Sequence, residues 1–320
     1  VFVLAHRLPV SALFDLASDP VCIIDQRRVL TFANTSFFSF FGSSEKDALH
    51  RGLDEIGFDV SVIPQPGEFT RDASARKEGI REGEFRKGGT GYQFRIRMLP
   101  VTFEDGMKGT AFLFDDITRE KKHLENLEFL ARTSAELADM GDDENIYQYI
   151  ADRVAELEPR AHVNVNSVDP ERMITIVRAT SSADLQFLRE FNDSFADLGD
   201  FSEMTFDMNR IPEGIQVLMK GSIMEGPRSL YEISWHLLPE AACSEIQEKF
   251  RLDRNFVMGC SCKGGLYGHV ALRFRKGDEM ENKPTVEAFV RQAGVALQRR
   301  YLREKLRRIE GREETRRQTR

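Results

Sequence analysis

The sequence predicts an α+β protein of two domains, each an antiparallel sheet flanked by helices, joined and followed by helices of coiled-coil type. Three observations lead there. A chain of 320 residues, 41% of them hydrophobic, is long enough for roughly two domains with separate cores. Short β-rich runs come in pairs around polar turns, in two groups well apart in the chain. Between the groups and after the second, apolar residues recur at spacings of three and four within highly charged sequence, as in helices that pair. The expected boundaries are 9–118 for the first domain, 119–140 for a linker helix, 141–297 for the second domain and 298–320 for a C-terminal helix.

The first domain opens with a hairpin: Val21 to Asp25, the polar turn Gln26-Arg27-Arg28, then Val29 to Ala33. Asn34 stands where a side-chain oxygen can accept from free N–H groups of a helix's first turn, Phe37, Phe38, Phe40 and Phe41 give that helix its apolar content, and Gly42 ends it. Three further strands are expected at Gly83 to Arg86, Tyr92 to Phe103 and Met107 to Phe114, with turns at Gly88-Gly89 and Asp105-Gly106. After Asp115-Asp116-Ile117-Thr118 comes the linker helix, whose Ile117, Leu124, Leu127, Ala131, Ser134 and Ala138 keep a 4/3 rhythm.

The second domain begins with a helix over Asn145 to Leu157. His162 to Val168 and Met173 to Ala179 alternate polar and apolar around the turn Asp169-Pro170-Glu171. A polar helical region follows, then Leu230 to Phe250, which holds the single tryptophan, Trp235, beside His236. Phe256 to Cys260 and Leu266 to Phe274 form a last hairpin around Lys263-Gly264-Gly265, and the closing helix starts near Pro284. Val295, Leu302 and Ile309 recur every seven residues with Leu306 between the last two, a narrow seam suited to helix pairing.

Composition excludes several function classes. A net charge of −7 argues against a nucleic-acid-binding module, which carries a basic stripe. From Arg299 to Arg320 ten Arg or Lys face four Glu, but the interspersed Glu304, Glu310, Glu313 and Glu314 make this a solvated helix rather than a nucleic-acid or lipid patch. No apolar run reaches the roughly 18 residues of a membrane span. Four cysteines, Cys22, Cys243, Cys260 and Cys262, are too few and scattered for a disulfide scaffold, and a reducing cytoplasm suits them. With Val1 first and no basic segment before a long apolar stretch, the sequence reads as a piece of a longer protein.

The stretch DPVCIIDQRRVLTFANTSFFSFFG at the front and GTAFLFDDITREKK at the back of the first domain resembles a PAS domain. The resemblance covers about a third of the chain. It implies that Asp116 and Thr118 couple the last strand to the outgoing helix. Such domains hold haem, flavin, small acids or nothing. His50 is the only histidine where a haem ligand would lie and reads as a surface residue in KDALHRG. The Asn-Cys-Arg-Phe-Leu motif of the flavin photosensors is missing, Cys22 reads as a small buried apolar residue, and the phenylalanines, Phe32 among them, read as core. The expectation is a dimerising or relay domain without a cofactor.

The second domain resembles a GAF domain over about half the chain, through NFVMGCSCKGGLYGHVALRF, where Gly265, Gly268 and Val270 carry the match. The Asn-Lys-Xaa-Phe signature of cyclic-nucleotide-binding members and the Cys-His pair of bilin-binding members are both missing. PAS followed by GAF, each leading into a heptad helix, is similar to the sensor region of a multidomain histidine kinase of bacterial or methanogenic-archaeal type.

Cys260, Cys262 and His269 raise the question of a site. Residues two apart on a strand face the same side, so both thiols point together, into a ligand pocket or away from it. A lone Cys-Xaa-Cys is a poor zinc site. Haem stays open, although no Cys-Xaa-Xaa-Cys-His attachment sequence occurs; free thiols with redox sensitivity are the simpler reading. The ligand pocket is expected where Trp235 and His236 meet Cys260 and Cys262, a combination suited to a flat or oxidisable ligand.

The function expected is a cytosolic sensor and signal-relay module of a histidine kinase rather than an enzyme in itself. Asp116, Thr118, Leu124 and Leu302 would carry the relay. The partners expected are a second copy in a parallel homodimer and kinase domains downstream in the same parent chain. His123, in KKHLENLEFL, lacks the His-Glu-Xaa-Arg-Thr-Pro pattern of a phosphoacceptor. The alternative is a GAF-type thiol enzyme such as a free methionine sulfoxide reductase, with Cys260, Cys262 and Cys243 as nucleophile and resolving thiols.

Overall fold

The computed structural model describes residues 14–15, 17–42, 44–52, 55, 79–87, 90–103, 105–193 and 205–318, and divides into two units between Glu125 and Asn126. In the first unit the expected hairpin forms from β1 (Val21–Asp25) and β2 (Leu30–Ala33). Its turn is held by Asp25, whose carboxylate accepts from the backbone N–H groups of Arg27 and Val29 at 2.8 and 2.9 Å, while Arg28 takes the left-handed conformation at φ 64°. Helices α1 (Thr35–Phe41) and α2 (Glu45–Ala48) follow, then β3 (Gly79–Lys87), β4 (Thr90–Thr102) and β5 (Lys108–Asp116). The strands pair antiparallel in the order β2-β1-β5-β4-β3. The Gly88-Gly89 turn lies outside the described residues.

Asn34 does more than cap α1. Its side-chain oxygen accepts from Phe37 N–H and Val21 N–H, both at 2.9 Å, and its amide donates to the carbonyls of Phe14 and Asp19. One fully buried side chain thus ties the entering chain, the first strand and the first helix. Gly42 ends α1 at φ 72°, its N–H returning to Phe38 O, because only glycine takes this conformation without strain. Along β4 burial has a period of two: Phe94, Ile96 and Met98 face the core. Rings of Phe37, Phe41, Phe85, Phe94 and Phe114 fill that core in tilted and edge-to-face contacts. His50 is exposed.

Helix α3 (Thr118–Asp139) continues from β5, and its Phe129, Thr133 and Leu137 lie in the core of the second unit. The second unit holds α4 (Ile146–Leu157, capped by Asn145), β6 (His162–Asp169), β7 (Ile174–Ser181), α5 (Leu185–Asp193) and β8 (Thr205–Asp207). Next come a 3-10 turn (Met208–Arg210), α6 (Pro212–Met219), β9 (Met224–Glu225), α7 (Leu230–Ile233) and α8 (Glu240–Phe250). The hairpin β10 (Leu252–Cys262) and β11 (Gly265–Arg275) and the long α9 (Lys283–Gln318) complete it. Its six strands run antiparallel in the order β8-β7-β6-β11-β10-β9.

This sheet is covered on both faces. On one, Val163, Val165, Met258, Cys260, Val270, Leu272 and Phe274 pack with buried residues of α3, α4 and α9. On the other, Val168, Val177 and Val257 pack with α5 through α8. The hairpin turn uses Lys263 and Gly264 at φ 47° and 78°, the two positive values that match strand twist in a two-residue connection. Helix α9 is anchored at its start by Glu158, whose carboxylate accepts from Glu281 and Asn282 N–H, and by the Asn282 amide, which donates to Leu157 O. It is buried through Leu297 and exposed over residues 302–311.

A candidate ligand pocket and a strand-to-helix junction

A pocket of about 700 Å³, its open mouth included, lies in the second unit on the face covered by α5 to α8. The sheet supplies its floor: Asn164 and Asn166 from β6, Thr175 and Val177 from β7, Asn255 and Val257 from β10, and His269 and Arg273 from β11. Met208, Ile211, Ile233, Trp235 and Leu238 wall it. The polar positions of β6 that alternate with valine are therefore turned to a pocket.

Of the four residues expected at a ligand pocket, Trp235 lines this one. The segment from Leu230 to Phe250 is broken there, because Trp235 and His236 are consecutive left-handed residues at φ 51° and 61°. Such conformations cost roughly 1–2 kcal/mol each in a non-glycine residue. The turn is held by bonds from Trp235 N–H to Glu232 O and from His236 N–H to Tyr231 O. The indole stands edge-on to the His269 ring at 6.4 Å and backs onto Gly214 of α6, where a Cβ would come within 2.6 Å of it. His236 is exposed, close to Tyr231, and does not line the pocket.

Cys260 and Cys262 are not brought to Trp235 and His236. They do face one way, but it is the opposite face: Cys260 is fully buried in the core shared with α4 and α9, and Cys262 packs beside it and donates to the Gln298 side chain at 3.1 Å. Strand parity is the reason. With Val257 on the pocket side, Met258 and Cys260 must point away, and the register shift between Gly259 and Ser261 leaves them there. Burial pushes the Cys260 thiol up to about 12 and Cys243, which sits in the pocket-side core, up to about 11. The sheet separates Cys243 from Cys260, so a nucleophile and a resolving thiol do not meet in this pair. Haem held by these thiols and His236 does not fit either, since none of them lines the pocket. Among the described residues no three His, Cys, Asp or Glu side chains gather as a metal site requires.

The polar groups that do converge are His269, Arg273, Asn164 and Asn255, all buried. An Arg273 Nη–H donates to Asn164 Oδ1, and the guanidinium lies 5.5 Å from the centre of the Phe191 ring. Its Nε, His269 Nδ1 and Asn255 Oδ1 have no hydrogen-bond partner. Burial lowers Arg273 to about 10; burial, with the neighbouring Arg273, lowers His269 to about 4, leaving the imidazole neutral at pH 7. The sequence carries a signal for this: His269 and Arg273, four apart on a strand and separated by the apolar Val270, Ala271 and Leu272, share one face.

The predicted relay residues occupy two settings. Asp116 accepts from the N–H and hydroxyl of Thr118, and the Thr118 oxygen accepts from Gln93 N–H at 2.8 Å. Ile117 N–H donates to Gln93 O, and Ile117 is buried. A charge set missed in the sequence adds to this joint: Arg95 of β4 reaches Asp115 and Glu120, and Lys121 of α3 pairs with Glu82 of β3 at 2.7 Å. Leu124 and Leu302 are 57% and 47% exposed, and Leu127, Val295, Leu306 and Ile309 are similarly open.

A family model for the PAS domain matches residues 10–74, within the first unit. Solved structures similar to the chain include the PAS domain of an HTR-like protein from Haloarcula marismortui, at 22% identity and TM-score 0.28, over 34% of this chain and 88% of that one. The PAS domain from Bordetella pertussis BvgS is 21% identical with TM-score 0.31, over 38% and 94%. The PAS domain of nitrogen regulation protein NR(II) from Vibrio parahaemolyticus is 16% identical with TM-score 0.28, over 35% and 100%. Among curated proteins none matches the chain. Among the described residues no helix is long and apolar enough to cross a membrane.

Proposed function

We propose that this chain is a cytosolic sensor and signal-relay module of a histidine kinase, in which a GAF-type second domain binds a small molecule and helices carry the response. The observation that carries this is the two-sided β10–β11 hairpin. Val257, His269 and Arg273 line the pocket, while Met258, Cys260 and Val270 of the same strands pack in the core with α9. A ligand that shifts the hairpin must shift the packing of α9, because close-packed cores transmit displacement. The PAS-family match at residues 10–74 and the hydrogen-bonded joint at Asp116 and Thr118 support the same reading.

The module works as a parallel homodimer through the exposed seams of α3 and α9, with kinase domains downstream in the parent chain. Leu124→Glu combined with Leu302→Glu then converts a dimer into a monomer by light scattering. Val177→Phe, which fills the pocket floor, alters hydrogen-exchange protection across residues 286–302. A monomeric wild-type protein overturns the dimer, and unchanged exchange in a folded Val177→Phe variant overturns the coupling of pocket to helix.

A further inference from the structure

We propose that the pocket takes a small organic carboxylate with a flat apolar body, its charged end held by Arg273 and His269 and its body lying along Trp235. This rests on the pocket being the ligand site of the module. A guanidinium offers five N–H donors and stays charged, so burying one without an acid partner leaves a charge uncompensated. Arg273 is only 8% exposed, yet among the described residues no carboxylate pairs with it; its one hydrogen bond goes to the neutral Asn164. The more exposed arginines nearby are paired: Arg275 with Asp184, and Arg254 with Glu225.

The free Nε and the unpartnered His269 Nδ1 come from residues on one face of β11 with only Ala271 between them in that row, and all three residues line the pocket. As the tautomer that protonates Nδ1, His269 is a second donor beside the guanidinium. A carboxylate accepts from a guanidinium in a forked geometry that no neutral group matches. A cation is excluded by the same charge. The rest of the wall is apolar, with Val177, Met208, Ile233 and the indole of Trp235, which suits a planar hydrocarbon body.

Trp235 is the single tryptophan, so its fluorescence reports directly on the pocket. Phenylacetate and its neutral counterpart phenylacetamide are titrated against the full chain. Phenylacetate is expected to change the emission saturably and to bind at least tenfold more tightly than the amide. Arg273→Met removes that preference and raises the melting temperature of the ligand-free protein, because an uncompensated charge is gone; Arg273→Lys, which keeps the charge, weakens phenylacetate at least tenfold. Equal binding of acid and amide, or full acid binding by either variant, overturns the carboxylate assignment and leaves a pocket for another ligand class. A melting temperature that falls in Arg273→Met shows that the protein itself satisfies the guanidinium, and overturns the inference whatever the probes do. The coupling of pocket to helix fails separately, through unchanged exchange in Val177→Phe.

Discussion

Replacing Asn34 with alanine should unfold the first unit far more readily. Alanine removes the helix cap, which costs about 1 kcal/mol. It also strands the Val21 N–H, which Asn34 serves at a buried site, for about 1–3 kcal/mol more. The carbonyls of Phe14 and Asp19 lose a donor as well. The sum is about 2–4 kcal/mol, and at roughly 1.4 kcal/mol per factor of ten the globally protected amides of β1 and β5 should exchange thirtyfold to several hundredfold faster. Hydrogen exchange with mass spectrometry reads this unit by unit, so peptides from β6, β10 and β11 serve as the internal reference. Asn34→Ser should recover about 1 kcal/mol, since serine caps a helix but is too short to reach Val21 as well. Exchange in β1 and β5 within threefold of wild type would refute the view that Asn34 organises this sheet.

Two further outcomes are expected. His269 is held neutral, with its folded value near 4 against an ordinary 6.5, so the unfolded chain binds the extra proton first. Stability is full above pH 6.5 and declines toward pH 4, by about 2 kcal/mol at pH 5 from this group alone; His162, also lowered to about 4, acts in the same direction. Denaturant unfolding at pH 7.5 and pH 5 should show a smaller difference in His269→Gln, and an identical difference would contradict the assignment. Gly214→Ala should destabilise the second unit by about 1–3 kcal/mol and shift Trp235 emission. Its Cβ would meet the indole at 2.6 Å, which outweighs alanine's helix preference of about 1 kcal/mol. An unchanged spectrum and melting curve would show that the ring moves aside freely.

What could be read in the sequence was local. The hairpin, the Asn34 cap and the Gly42 stop each depend on residues a few positions apart, so their chemistry is written in order. The seams at Leu124 in α3 and Leu302 in α9 are likewise each periodic within a single helix, and both residues are exposed. The pocket is different. Asn164 and Arg273 bond across 109 residues, and no spacing encodes that. Which face of β10 takes Cys260 depends on packing against α9, not on the strand, because both faces of this hairpin are buried. Alternation in β6 marks a strand, and that its polar half faces a pocket is decided by the helices that pack over the sheet. The left-handed pair at Trp235 and His236 breaks a segment whose composition gives no glycine or asparagine to announce it.

Helix α9 runs unbroken from its anchored start to Gln318. Arg303 and Arg307 pair with Asp142 and Lys305 pairs with Glu171, and from Arg307 to Gln318 the rod runs on for roughly 16 Å at 1.5 Å per residue, so a tilt of about 10° there sweeps the far end through about 3 Å. That is the scale at which a side chain exchanges one neighbour for the next. Mechanical advantage therefore belongs to the covalent length of the helix: inserting a turn should lengthen the stroke, and a proline within residues 302–311 should dissipate it.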